Sequence, residues 1–231
     1  MKMQNRFQNE IRASQSFEEG PFFLISDSED DLRIFAHGIV GDRDDMLDSQ
    51  SVVKTILENR GRPIVLDINT PGGAVFDAVA IYTALVEHDA TVRADITGKA
   101  ESSGTILVSA ADSVRIAQAG LFTVHQAWTG FVSIGNKRQI RQESEEVYGL
   151  LDKVDDEISQ ILADRSGRPK DEIDALMAGK DGSDGTSFTG SEAVEMGFAD
   201  ELIPNKKRPE TRGTSQAYIR QLVNFKRKRA A

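Results

Sequence analysis

Two short apolar runs, each followed by a glycine-containing turn and an apolar helical pattern, constrain the fold of this chain most strongly. The first, PIVLDI (63–68), leads through NTPGG into a helix predicted over 74–88. The second, TVRADI (91–96), leads through GKAESSGT into a buried helix predicted over 102–111. Because strand–turn–helix units in series pair their strands in parallel, the sequence predicts an α/β domain with a largely parallel sheet.

The rest of the chain extends this pattern without an internal repeat. The alternation of apolar residues predicts further strands at 21–26, 32–40, 113–117 and 121–125, and helices at 49–61, 137–166, 170–178 and 190–196. The helix at 137–166 is long and charged, with an apolar stripe formed by Val147, Leu150, Leu151, Val154, Ile158 and Ile161. We therefore expect one domain over 21–204, a flexible segment at 1–20, and a basic, disordered tail at 205–231.

Composition excludes several kinds of chemistry. The chain has 231 residues, of which 39% are hydrophobic and 28% charged, as in soluble globular proteins. It has no cysteine, which excludes disulfides, thiolate catalysis and cysteine-ligated zinc. Its three histidines lack ligand spacing, so we expect neither a metal site nor a cofactor. No stretch has the apolar length of a signal peptide or a membrane span, and we expect a cytoplasmic protein without membrane contact.

Charge is distributed unevenly. The net charge is −9, yet the tail at 205–231 carries nine basic residues and one acid, or +8, which leaves −17 for the preceding 204 residues. An acidic body is a poor partner for nucleic acid, so no specific nucleic-acid binding is expected. The tail is either a solvated end or a segment that contacts an acidic partner, nucleic acid or the acidic body.

A serine pair and a histidine are the candidate catalytic residues. Ser102 and Ser103 lie where a strand gives way to a helix, a position that favours developing negative charge but also suits a simple N-cap. His125 ends the apolar run LFTVH, and histidine titrates in the range that a general base needs. The Gly72–Gly73 turn leaves amides free for an anion, although it lacks the spacing of a phosphate-binding loop.

In combination, the Pro-Gly-Gly turn, GKAESSG and LFTVHQ resemble the proteolytic subunit of the ATP-dependent Clp protease. They are more similar still to its phage relatives, the head-maturation (prohead) proteases. The similarity extends from 33 to 203, through SEAVEMGFADEL. It implies a ClpP/crotonase-like spiral of β-β-α units with a protruding long helix, and a serine endopeptidase. The family motif, Gly-x-x-x-Ser-x-Gly, selects Ser102 as the nucleophile, with the amides of Ser103 and Gly73 as the oxyanion hole.

The resemblance makes His125 the base and requires an acid shortly before SFTGSEAVEMG. Gap-free alignment places Gly185 there, whereas a one-residue insertion brings in Asp184, which we prefer, with Asp181 as the fallback. Two residues depart from the family pattern: Glu101 replaces a small residue, and Ala127 replaces a proline. We expect Glu101 to point away from the site, because an inward carboxylate would repel an oxyanion.

The resemblance also implies an assembly and a substrate. Family members form stacked rings, usually of seven subunits, in which the long helix interleaves two rings. The phage resemblance implies scaffold or capsid protein as the polypeptide substrate. Three alternatives remain: a Ser-Lys enzyme like the signal-peptide peptidases, using Lys99; a crotonase-like thioester enzyme; and a non-catalytic, ClpP-like assembly or structural protein.

Overall fold

The computed structural model describes the backbone of residues 23–27 and the full residues 31–41, 47–180 and 182–204. The predictions for the segment 1–20, for the tail 205–231 and for Asp181 lie outside the described residues.

A single eight-stranded sheet organises the described part of the chain. Its strands are β1 (Phe23–Asp27), β2 (Leu32–His37), β3 (Ile64–Thr70), β4 (Val92–Glu101), β5 (Ser113–Ile116), β6 (Leu121–Val124), β7 (Thr186–Thr189) and β8 (Glu201–Leu202). The main path runs β1-β2-β3-β4-β5-β8, and all of its pairs are parallel except β1 with β2. The predicted α/β class with a largely parallel sheet is confirmed.

Strand β4 is longer than the sequence predicted because it changes partners along its length. Its first half pairs with β5, from Arg93 to Ile96, and its last three residues pair with β6, from Lys99 to Glu101. The change accompanies a register shift against β3. Strand β6 also pairs, antiparallel, with β7, a pairing that was not predicted from the sequence. As a result, β4 and β6 end side by side.

Six helices complete the described fold. They are α1 (Ser49–Glu58), α2 (Val75–Val86), α3 (Gly104–Ser109), α4 (Lys137–Ser166), α5 (Lys170–Ala178) and α6 (Gly190–Glu195). Helix α3 is central, since five of its six residues are buried, and it contacts α2, α4 and the strands β3, β4 and β6. No helix within these described ranges combines the length and apolar character needed to span a bilayer.

Helix α4 has the bounds predicted from sequence, and both ends have clear causes. At its start, Asn136 and Gln139 form a reciprocal capping box. At its end, Gly167 adopts the left-handed conformation, with φ 69°, that terminates many helices. Only Ser159, Leu162 and Ala163 are buried along its 30 residues, so α4 packs by its C-terminal part and its N-terminal part projects. The expected protruding helix is therefore present.

Candidate active site

Ser102 occupies a sharp turn between β4 and α3. Its φ is 56°, and it is the one non-glycine residue with positive φ among the described residues. This left-handed conformation is unfavourable for an L residue and is typical of a nucleophile held at a strand-to-helix turn. The turn is fixed on both sides: the Ser102 amide donates to Thr123 O at 3.0 Å, and the Thr105 amide donates to Ser102 O at 2.9 Å.

The sheet brings Ser102 and His125 to the same edge. Glu101 pairs with Thr123 at the end of the parallel β4–β6 ladder, so Ser102 leaves β4 beside the residues where β6 ends. His125 directly follows β6. No hydrogen bond joins the two side chains in the described part of the chain. Catalytic hydrogen bonds often form fully only when substrate binds, so a free enzyme need not show this bond.

The His125 ring is held in one tautomer by its own loop. Its Nδ1 lies 2.6 Å from Gln126 O. Because a carbonyl oxygen only accepts, Nδ1 carries the proton in this bond and Nε2 keeps its lone pair. The loop itself is anchored by the Gln126 amide, which donates to Met177 O at 3.2 Å at the end of α5. This tautomer leaves Nε2 with the free lone pair that a general base requires.

Two backbone amides beside Ser102 are free to bind an oxyanion. Among the described hydrogen bonds, neither the Gly73 amide nor the Ser103 amide has a protein acceptor. The Ser103 hydroxyl donates to Gly73 O at 3.2 Å, which links the two residues directly. A pair of preorganised amides next to a nucleophile can stabilise the negative charge that develops on a carbonyl oxygen.

Steric crowding explains why both residues of the Gly72–Gly73 turn are glycine. A Cβ on Gly72 would lie 2.6 Å from Ser102 Cβ and 2.6 Å from Glu101 O. A Cβ on Gly73 would lie 2.0 Å from Val40 O, which accepts a hydrogen bond from the Ala74 amide. Both residues have positive φ, at 86° and 152°. The turn can therefore approach the nucleophile only with glycine at these positions.

The predicted acid is not brought into contact with His125. Gly185 occupies that place: a Cβ there would lie 2.5 Å from His125 Cβ and 2.1 Å from Val124 O. This crowding and a φ of 80° explain why glycine occupies position 185, where gap-free alignment with the family expects the acid. Asp184 is exposed, and within the described residues its side chain has no hydrogen-bond or ion-pair partner. Asp181 lies outside the described residues.

Glu101 and Lys99 neutralise each other. They lie two residues apart on the same face of β4, and the Lys99 ammonium forms an ion pair with the Glu101 carboxylate. The pairing occupies the lysine that a Ser-Lys mechanism would need as a free base. No cluster of three or more histidine or carboxylate side chains suited to a metal is found in the described ranges.

Asp155, a carboxylate of α4 that reaches the His125 loop, was not predicted from the sequence. Its Oδ1 accepts a hydrogen bond from the Ala127 amide at 2.6 Å. Burial raises the pKa of Asp155 above its usual value, whereas the bond from Ala127 lowers it. The charges of Asp152 and Asp174 raise this pKa further, and the positive charge of a protonated His125 lowers it. Asp155 thus contacts the backbone two residues beyond His125, an arrangement that no local sequence signal indicates.

Comparisons with known proteins identify the family of the chain. The family model of Clp protease matches residues 33–206. The chain is 30% identical to the ATP-dependent Clp protease proteolytic subunit 2 of Parasynechococcus marenigrum over 154 residues, 66% of this chain and 72% of the relative. It is 29% identical to the subunit of the same name from Tropheryma whipplei over 164 residues, 69% of this chain and 85% of the relative.

Proposed function

Because the chain belongs to the Clp protease family, we propose that it is a serine endopeptidase in which Ser102 attacks the peptide carbonyl and His125 acts as the base. The observation that carries this proposal is the convergence at one sheet edge of a strained serine, a histidine and two amides that have no acceptor among the described residues. The serine serves as nucleophile, the histidine as proton acceptor and the amides as oxyanion donors.

The reaction follows from these positions. His125 Nε2 takes the proton of the Ser102 hydroxyl as its oxygen bonds to the substrate carbonyl carbon. The Gly73 and Ser103 amides stabilise the oxyanion, and the imidazolium returns the proton to the leaving amine. Water then hydrolyses the acyl-enzyme by the same steps. The resemblance alone predicts Asp184 as the acid of this triad; in the structure Asp184 is exposed, and His125 Nδ1 donates to Gln126 O instead.

The finer part of the proposal is a role in phage head maturation, with scaffold or capsid protein as substrate. Its support is the resemblance of the Pro-Gly-Gly turn, GKAESSG and LFTVHQ to the prohead proteases. A homo-oligomeric ring in the host cytoplasm or the assembling head completes this proposal. Co-expression of wild type or Ser102→Ala with the capsid protein of the same genome tests the role, because only the wild type should shorten that protein.

A direct test of the chemistry is labelling with a fluorophosphonate probe, which reacts with activated serines. We expect one labelled peptide containing Ser102, and loss of both labelling and peptide hydrolysis in Ser102→Ala with the fold unchanged by circular dichroism. Ser191→Ala, which removes a hydroxyl bonded to Gln118 in an exposed pair, is the matched control and should label normally. Undiminished hydrolysis by Ser102→Ala would refute the proposed function, and absence of labelling in wild type would favour the non-catalytic alternative.

A further inference from the structure

The loop that carries His125 has two polar anchors of different character. Within the loop, His125 Nδ1 donates to Gln126 O, a neutral carbonyl, at 2.6 Å. From outside it, Asp155 on α4 accepts from the Ala127 amide at 2.6 Å. The carbonyl fixes the tautomer, which is one of the two roles of a triad acid. The Gln126 carbonyl carries no net charge. The other role of a triad acid, which is to stabilise the positive charge of the imidazolium, therefore needs a different group.

We propose that Asp155 is a positioning residue that holds the His125 loop through Ala127 and supplies the negative charge that stabilises the imidazolium during hydrolysis. This inference rests on the proposed function. Only one oxygen of the carboxylate, Oδ1, is engaged by the protein in the described contacts, and Oδ2 remains available. The roles of a single triad acid are thereby divided between the Gln126 carbonyl and a carboxylate on the long helix.

The alternative carboxylate is less well placed. The backbone of Gly185 packs directly against His125 Cβ and leaves no room for a side chain there. Asp184, the next residue, is exposed, and solvent screens its charge. Asp155 is only partly exposed and lies on a regular helix, where its charge acts through a less polar medium and from a fixed position.

Asp155 occupies this place at a cost to stability. Burial and the charges of Asp152 and Asp174 raise its pKa above the value in an unfolded chain. Folding therefore favours the protonated form of the Asp155 carboxyl. The stability that this protonated form gives to the folded protein is lost as the pH rises through the raised pKa. At neutral pH an ionised Asp155 opposes folding. If Asp155 had only a structural role, a neutral side chain at this position would give a more stable fold. Asp155→Asn should therefore preserve or raise the unfolding temperature.

Substitution by asparagine separates the two roles. Asp155→Asn keeps an oxygen for the Ala127 amide and removes only the charge, so kcat should fall about 10²-fold, on the scale of general acid–base effects. KM should change little. Asp155→Ala removes the anchor as well and should lose more, whereas Asp155→Glu should recover part of the activity. Asp152→Asn removes an equal charge one turn away on α4 and serves as the control, expected to hydrolyse peptides like wild type.

A second measurement does not depend on turnover. In the Ser102→Ala background, the three histidines are followed by NMR across a pH titration, with His125 assigned by its absence in a His125→Gln variant. We expect the His125 titration midpoint to move to lower pH in Asp155→Asn and to stay in place in Asp152→Asn, because removing a nearby anion disfavours the imidazolium. The acid limb of the kcat profile should move in the same direction.

An unchanged His125 midpoint together with wild-type kcat in Asp155→Asn would overturn the proposal. So would a loss confined to Asp184→Asn, which would return the role to the loop before β7. If wild type neither hydrolyses peptides nor reacts with the fluorophosphonate, the proposed function fails, while the titration still reports on the Asp155–His125 interaction. The two failures are thus distinguishable.

Discussion

At the scale of single residues, the proposed mechanism gives the neighbours Ser102 and Ser103 different roles, since Ser102 attacks the substrate and Ser103 contributes its amide. The Ser103 hydroxyl bonds Gly73 O at 3.2 Å, while its amide faces the site without a partner among the described residues. Ser103→Ala keeps the amide and loses only the link between the two oxyanion donors. We therefore expect peptide hydrolysis to fall about 2- to 10-fold, the equivalent of one ordinary hydrogen bond, in steady-state kinetics.

The control for this prediction is Ser109→Ala, which removes a hydroxyl bonded to Thr105 O in the same helix. It should leave kcat unchanged. If Ser103→Ala abolished activity as fully as Ser102→Ala, the nucleophile would be misassigned by one residue.

The residues that could be predicted from the sequence are those fixed by a local pattern. Gly72, Ser102 and His125 each follow an apolar strand, and the structure brings their elements to one edge. Asp155 could not be found this way, since its bond to Ala127 spans 28 residues. Nor could the crowding at Gly185 be foreseen, because it arises from the antiparallel pairing of β6 with β7.

At the scale of secondary structure, periodicity predicted α4 to the residue, whereas β4 exceeded its prediction by five residues. The helix is set by its own caps, Asn136 and Gly167. The strand is set by its neighbours: Lys99 and Glu101 are polar, and they are extended because β6 pairs with them. Polar residues with glycine nearby predict a turn, and tertiary pairing overrides that preference.

The ion pairs between strands β4 and β5 lead to a prediction about the stability of the fold. Arg115 holds the buried Asp95 with two hydrogen bonds, both of 2.7 Å, and Arg93 adds a third at 3.2 Å. Burial alone would raise the pKa of Asp95, but the two guanidinium groups outweigh it and lower this pKa. The stability that Asp95 contributes is therefore present above its unfolded-state pKa and lost as the pH falls through its lowered value.

Asp95→Asn should reduce the free energy of unfolding by about 1–3 kcal/mol at pH 7, the scale of the charge-assisted hydrogen bonds that the buried carboxylate loses. The difference from wild type should shrink in acid. Urea unfolding at pH 7 and in acid measures both effects. Asp156→Asn is the control, because Asp156 is exposed and its ion pair with Lys170 contributes little. Equal stability of Asp95→Asn and wild type at pH 7 would contradict this account.

At the scale of the whole molecule, two groups of large apolar side chains are exposed on the described surface. One group lies along the outer face of α2, at helical spacing: Phe76, Val79 and Val86. A second group surrounds the start of α4: Trp128, Phe131, Val132, Ile134 and Ile140. Groups of exposed large apolar residues are typical of subunit contacts, and two such groups are compatible with the proposed oligomer.

Phe76 provides the sharpest test of assembly, since 64% of its surface is exposed although it is a large aromatic residue. In the proposed oligomer, Phe76→Asp would bury a charge in an apolar contact, a change that is strongly unfavourable. We expect light scattering after size exclusion to show smaller species for Phe76→Asp than for wild type, with the same circular dichroism spectrum. Lys54→Asp, an exposed charge reversal on α1, should leave the mass unchanged.

Phe76 follows the Gly72–Gly73 turn by less than one helical turn. Loss of the oligomer in Phe76→Asp should therefore also lower the rate at which the fluorophosphonate labels Ser102. An unaltered mass in Phe76→Asp would place the subunit contacts elsewhere and leave the start of α4 as the remaining apolar surface.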